Sequence, residues 1–328
     1  MDVRSMDTAI RCSVNAAGKD AQYDERAKRL LGNKYILAHI LVKTVDVFYG
    51  MKPEGVVPYI EGEPYIGVVP VEPGLTNHAK GSGQKVTGLN SENAEINEGL
   101  IRFDIVFYVR MPSTGGSNNG LSQIIVNVEA QKDAPAEYKI LNRAIFYVSR
   151  LVSSQKERDF INTNYDEIKR VFSIWICMNM SQDSMNYVHL TNESVIGSYE
   201  WKGKLDLLNI VLIGLSNELP EYNEKYELHR LLGTLLSKRL SPEEKLSIIE
   251  TEYSIPVEES IRKDVSVMCN LSQGIREEGR AEGRAEGEIR IILNMYKKGF
   301  SPEQIASAVD KKIDEVQAII AGKEPSAV

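Results

Sequence analysis

The chain has 328 residues, 42% of them apolar and 26% charged, with a formal net charge of −7. That length suits one large core or two domains with a tail, and the acidic balance excludes a generally basic nucleic-acid coat, so any DNA contact must be local. Cys12, Cys177 and Cys269 are far apart and form no C-x-x-C pair, which excludes a disulfide framework or a zinc site and fits reduced thiols.

Residues 1–24 are polar and predict a flexible arm, without the apolar stretch of a signal peptide. Leu30, Leu37, Leu41, Val45 and Phe48 recur at helical spacing and predict one helix from Arg26 to Met51, stopped by Gly50 and Pro53. Asp46 and Lys43 lie beside that stripe. Residues 53–88, rich in Gly and Pro, predict an irregular insertion.

The most informative stretch is Ile96 to Lys132. Leu100–Arg110 alternates, with Ile101, Phe103, Ile105, Phe107 and Val109 on one face and Arg102, Asp104, Val106, Tyr108 and Arg110 on the other. Leu121–Gln131 alternates too, with Ile124, Val126, Val128 and Ala130 opposite Gln123, Asn127, Glu129 and Gln131. The linking segment Pro112–Gly120 is rich in Gly and Asn and predicts a hairpin turn. If the strands pair, Asp104 and Glu129 leave the sheet on polar faces that can coincide. Two carboxylates on one face suit a hard divalent cation, which needs only one or two of them besides water and phosphate. The plain alternative is a surface sheet whose acids pair with Arg102 or Arg110.

A second amphipathic helix is predicted from Ala136 to Ser154, burying Leu141, Ala144, Ile145, Val148, Leu151 and Val152. Arg143, Tyr147, Arg150 and Ser154 form another stripe, which suits either a phosphate backbone or solvent. Lys169–Met180 predicts a buried strand, followed by strands at Asn186–Leu190, Ile196–Glu200 and Leu205–Leu215. The apolar run Asn209–Leu215 is too short to span a membrane, so a cytoplasmic protein is expected. Helices are predicted at Glu224–Leu240, from Ser241-Pro-Glu-Glu and from Pro256. In Ile275–Arg290, Gly, Arg and Glu each repeat every four residues, giving a weak helix or a linker. The last forty residues predict a small helix-turn-helix-like hairpin with Ile291, Ile292, Met295 and Tyr296 on one apolar face. Asp314 and Glu315 open its third helix, so protein contact is as well supported as DNA contact.

The order is a helix with Asp46, a strand with Asp104, a strand with Glu129-Ala130-Gln131, a helix with Arg143 and Tyr147, and a strand ending near Met180. It resembles the αβββαβ core of the PD-(D/E)XK nuclease superfamily. More closely it resembles the Rpn-type recombination-promoting nucleases and PD-(D/E)XK putative transposases, whose third motif is E-x-Q. "INEGLIRFDIVF", "IIVNVEAQ", "NRAIFYVSRLVSSQ" and the Gly/Glu/Arg tail carry the likeness over roughly residues 25–290. It implies an α/β, restriction-endonuclease-like core with a mixed sheet and a mostly helical C-terminal region.

The resemblance further implies a DNA endonuclease dependent on Mg²⁺ or Mn²⁺. Asp104 and Glu129 would bind the metal with the Ala130 carbonyl, and Asp46 would be an auxiliary acid. Gln131 would stand where most of the superfamily has lysine, and glutamine carries no charge to the phosphate. Arg102 or Arg143 would supply it, since Lys132 faces away from Glu129 in a regular strand. Glu98 is a further candidate ligand. Arg102, Arg143, Tyr147 and Arg150 would contact DNA. The alternative is a catalytically weak or inactive nuclease-fold module that binds nucleic acid or protein, which Gln131 and the acidic balance favour. A third is a structural module that forms a homo-oligomer through its helical C-terminal region. The expected division is an arm (1–24), a nuclease-like domain (25–218), a helical extension (219–273), the repeat (274–290) and a helical tail (291–328).

Overall fold

The longest apolar runs of the chain become its central strands, because a strand covered on both faces must be apolar nearly throughout. The computed structural model describes residues 21–62, 64–66, 92–95, 99–102, 104–112, 123–132 and 135–321. Its strands are β1 (Tyr65–Ile66), β2 (Glu92–Glu95), β3 (Gly99–Arg102), β4 (Ile105–Arg110), β5 (Gln123–Gln131), β6 (Val171–Met180), β7 (Ser184–His189) and β8 (Leu208–Ser216). Six of them form a mixed sheet in the order β1-β4-β5-β6-β8-β7, parallel at β5/β6 and β6/β8 and antiparallel elsewhere. β2 and β3 form a separate antiparallel pair. The architecture is α/β.

Three of the expected elements change. The long first helix is two, residues 21–31 (α1) and Lys34–Thr44 (α2). Gly32-Asn33 breaks it, and the Asn33 side chain caps α2 by accepting the Tyr35 N–H. Asp46 opens a separate 3₁₀ turn, Asp46–Phe48, beyond α2. The expected single strand Leu100–Arg110 is split between β3 and β4, and Asp104 is a bend residue just before β4. Ile196–Glu200 is not a strand; Ile196 is 95% exposed in the connection between β7 and β8. The 113–120 turn, Glu98, Phe103 and nearly all of the 1–24 arm lie outside the described residues.

α4 (Ile140–Ser153) lies on the face of the sheet that bears the odd-numbered residues of β5. Ala144, Tyr147, Val148 and Leu151 pack there with Val106, Ile125, Val171, Trp175 and Ile210. Burying each large apolar side chain contributes about 1.5–3 kcal/mol. The buried face of α4 is turned from the expected one, since Tyr147 and Arg150 are buried and Leu141 and Ile145 are exposed. α3 (Pro53–Val56) packs on α2, and α5 (Glu227–Leu236) packs on β8 and α2. α6 (Pro242–Thr251) starts with a full capping box between Ser241 and Glu244. Its fully buried Lys245 donates to the Leu235 carbonyl (2.9 Å) at the end of α5.

Glu25–Ser266 make one compact unit, and the described residues on either side of it make a second. The expected boundary at 218/219 falls inside the first. α7 (Glu259–Lys297) is helical throughout the Gly/Glu/Arg repeat. In the second unit, Ile292 of α7 packs with Ile305 and Ala306 of α8 (Pro302–Val309) and with Val316 and Ile319 of α9 (Ile313–Ile320). Ile291 and Tyr296 are exposed, so only Ile292 of that pair of neighbours turns inward. No helix among the described residues is long and apolar enough to cross a membrane.

Candidate functional site

The register of β4 against β5 pairs Ile105 with Val128, so the next row brings Asp104 opposite Glu129. The bend at Asp104 makes the meeting reciprocal. The Asp104 N–H donates to Glu129 Oε1 (3.1 Å), and the Ala130 N–H donates to Asp104 Oδ2 (2.9 Å). Each carboxylate is therefore fixed by a backbone donor beside the other acid. A strand residue sends its N–H and C=O to the same side, so the Ala130 carbonyl also faces Asp104. Glu129 is 3% exposed. Two residues earlier on the same face, buried Asn127 donates to Ser173 Oγ (3.2 Å) on β6.

Above this pair lies Arg143 of α4. Its guanidinium donates to the hydroxyls of Tyr138 (2.7 Å) and Tyr147 (2.8 Å), and more weakly to Gln131 Oε1 (3.4 Å). It sits 4.8 Å from the centre of the Tyr147 ring and 5.4 Å from that of Trp175. Trp175 is the β6 partner of Glu129, so the stacking platform and the acid share one row of the sheet. From α1, Lys28 Nζ reaches Asp104 Oδ1 at 2.8 Å.

Burial pushes the Glu129 carboxyl well above the ordinary carboxylate range, and the charge of Asp104 pushes it further; the Asp104 N–H, Arg143 and Asn127 pull the other way without prevailing. Burial likewise raises the Tyr147 hydroxyl against the pull of Arg143, with Glu129 and Asp104 adding to the rise. These groups act on one another, and at both Glu129 and Tyr147 burial is the largest effect.

This donor set fits a small hard cation. Among the described residues no three His, Cys, Asp or Glu converge on one point. The protein's share would be two carboxylates and the Ala130 carbonyl, with water filling the remaining positions, as Mg²⁺ commonly accepts.

Of the sequence-derived site residues, the fold brings together Asp104, Glu129, Ala130, Gln131, Arg143 and Tyr147. It does not bring Asp46. That carboxylate pairs with Arg170 (2.9 Å), just before the start of β6. Glu129 pairs with Trp175, four residues beyond the Val171/Ile125 row, which is about 13 Å along the sheet. Asp46 opens the turn beyond α2, and its partner Arg170 fixes it at the end of the sheet where β6 begins. Arg150 is buried near the C-terminal end of α4, with its guanidinium over the Phe146 ring. It therefore does not join Arg143 on a surface stripe. The side chain of Arg102 lies outside the described residues.

Lys28, Tyr138 and Trp175 complete the cluster and carry no motif of their own. Lys28 stands in an Arg26-Ala-Lys28-Arg29 run, whose basicity is visible but whose partner on a distant strand is not. Comparison with protein-family models, curated proteins and solved structures gives no match to this chain.

Proposed function

We propose that the protein is a DNA endonuclease dependent on Mg²⁺ or Mn²⁺, with a restriction-endonuclease-like core, of the recombination-promoting nuclease and transposase-like group. The observation that carries this reading is the reciprocal pairing of Asp104 with the buried carboxylate of Glu129, beneath an arginine held by aromatic rings. Asp104, Glu129 and the Ala130 carbonyl would hold the ion. Bound there, it would stabilise charge on a phosphate and make water a better nucleophile.

The remaining work belongs to the chain itself. Arg143 is pre-set by Tyr138, Tyr147 and the Trp175 ring and offers a planar donor array matched to phosphate oxygens. Gln131 can hydrogen-bond to water or phosphate but adds no charge. Lys28 supplies the cation that Gln131 lacks, though on Asp104 rather than beside Glu129.

Supercoiled plasmid incubated with the purified protein should be nicked with Mg²⁺ and spared with EDTA. Asp104→Ala and Glu129→Ala should each remove several kcal/mol of transition-state stabilisation, roughly a hundredfold or more in rate. Equal nicking by those variants would sink the proposal. One observation favours a second reading, a nuclease-fold module that binds nucleic acid without cutting it: Lys28 neutralises Asp104 internally. That reading expects DNA binding with no Mg²⁺-dependent nicking.

A further inference from the structure

We infer that the carboxyl-end edge of the sheet carries a second phosphate subsite, on the face opposite Glu129, for the backbone of the nucleic-acid strand engaged at Asp104 and Glu129. The inference rests on the proposed nucleic-acid substrate. Its seat is a cavity of about 120 Å³ where the ends of β5, β6 and β8 meet the turn between α5 and α6. Open parallel sheets place ligands beyond the carboxyl ends of their strands, and this cavity lies there.

The charge of the cavity runs against that of the chain. Lys132, Lys238 and Arg239 line it and Glu218 is the sole acid among its lining residues, whereas the whole chain carries −7. The three cations come from two separate places, the end of β5 and the turn after α5. Lys132 follows Gln131 directly, and strand alternation turns it away from the Glu129 face. A backbone crossing the sheet edge would therefore meet the carboxylates on one side and these cations on the other.

Two local features hold the cavity in shape. The β6/β8 register shifts between Cys177 and Met180, a bulge of the kind that re-aims strand ends. Within it Asn179 adopts a left-handed conformation (φ 57°), and its amide donates to the Lys132 carbonyl (3.0 Å). The bulge thus fixes the backbone that carries the first cation. On the other side, Ser237 Oγ accepts the backbone N–H groups of Arg239 (3.0 Å) and Leu240 (3.3 Å), closing the turn that carries the other two.

The test uses the full chain with EDTA present and follows fluorescence anisotropy of a labelled DNA duplex across a range of salt concentrations. The variant K132A/K238A/R239A should bind at least about tenfold more weakly, with the slope of log K against log salt flattened by about 2. The control K202A/K225A/K263A removes the same charge from exposed positions elsewhere and should bind within about twofold of the parent; circular dichroism melts confirm that both variants fold. Parent-like binding by the first variant, an equal loss in the control, or no duplex binding by the parent would each overturn the subsite. So would inorganic pyrophosphate binding that depends on these three residues in a protein that ignores the duplex. Nicking abolished by Asp104→Ala, together with unchanged binding by the triple variant, removes the subsite and leaves the nuclease. Selective loss of binding without any nicking does the reverse.

Discussion

Two buried carboxylates stand near opposite ends of the central strands, and the surroundings drive them apart. Asp159 accepts from the Tyr108 hydroxyl (2.8 Å) and from Arg158 Nε (2.8 Å), and it pairs with the Lys169 ammonium. Burial alone would raise its carboxyl, but Arg158, Lys169 and the hydrogen bonds hold it below the ordinary aspartate value of 3.8. Glu129 is buried as deeply, faces another acid, and is pushed up. Asp159 has its charge balanced inside the fold, where it joins the loop after α4 to β4 and to the start of β6. Glu129 has not, and a buried group left short of counter-charge is where a fold commonly meets something from outside.

The largest test of this contrast is a pair of isosteric substitutions. Asp159→Asn strands two cations and should cost about 3 kcal/mol at neutral pH. Glu129→Gln replaces a buried carboxyl whose charged form burial and Asp104 disfavour, and should leave stability unchanged or raised while abolishing nicking, as expected where a strained site is relieved. The pH dependence carries the sign of the first. Because the folded carboxyl of Asp159 lies below 3.8, its contribution is complete above that value and disappears as pH falls through the folded pKa. Asp159→Asn should lack that part of the acid limb in melts recorded against pH. Should Glu129→Gln prove as destabilising as Asp159→Asn, both carboxylates are structural and the contrast fails.

A smaller effect is expected at Lys28, which touches the carboxylate pair from the side of α1. Its ammonium holds Asp104 Oδ1, an oxygen a metal would otherwise share. Lys28→Met should tighten Mn²⁺ binding by roughly tenfold, equivalent to about 1.4 kcal/mol, while slowing nicking because Asp104 loses a restraint. Titration calorimetry with Mn²⁺ measures the first. Unchanged affinity would mean that Lys28 does not compete for Asp104 and that its ion pair belongs to the scaffold.

The contrast between the two acids also marks how far the sequence is legible. Alternation in Leu121–Gln131 and the short distance to Asp104 make the Glu129 pair visible, because a hairpin register is local. The bend that takes Asp104 out of β4 is less visible, since Leu100–Arg110 alternates straight through the junction of two sheets. The position of Asp46 is hidden for a related reason. The stripe Leu30 to Phe48 keeps its apolar periodicity across Gly32-Asn33, and only the capping chemistry of Asn33 shows the break. The Asp159 cluster leaves no mark in the sequence. Arg158-Asp159 and Lys169 are ordinary loop charges in sequence, and their burial depends on Tyr108 arriving from β4. On α4, Tyr147 reads as one of a polar stripe until Arg143 and Trp175 give its ring and hydroxyl separate partners.

The finest test sets two tyrosines against each other, because one donates to Asp159 and the other holds the arginine that lies over Glu129. Tyr108→Phe removes one donor from a carboxylate that keeps Arg158 and Lys169. It should cost about 1 kcal/mol of stability, the usual net worth of one hydrogen bond, and leave nicking untouched. Tyr147→Phe removes the acceptor of one Arg143 N–H (2.8 Å) but leaves the Tyr138 hydroxyl and the Trp175 ring in place. Arg143 loses one of its restraints, so nicking should fall by a few fold, within the roughly tenfold that 1.4 kcal/mol allows, with little change in melting temperature. A Tyr147→Phe protein that melts early but cuts normally would place Tyr147 with Tyr108 as scaffold. Arg143 would then be held well enough by its rings alone.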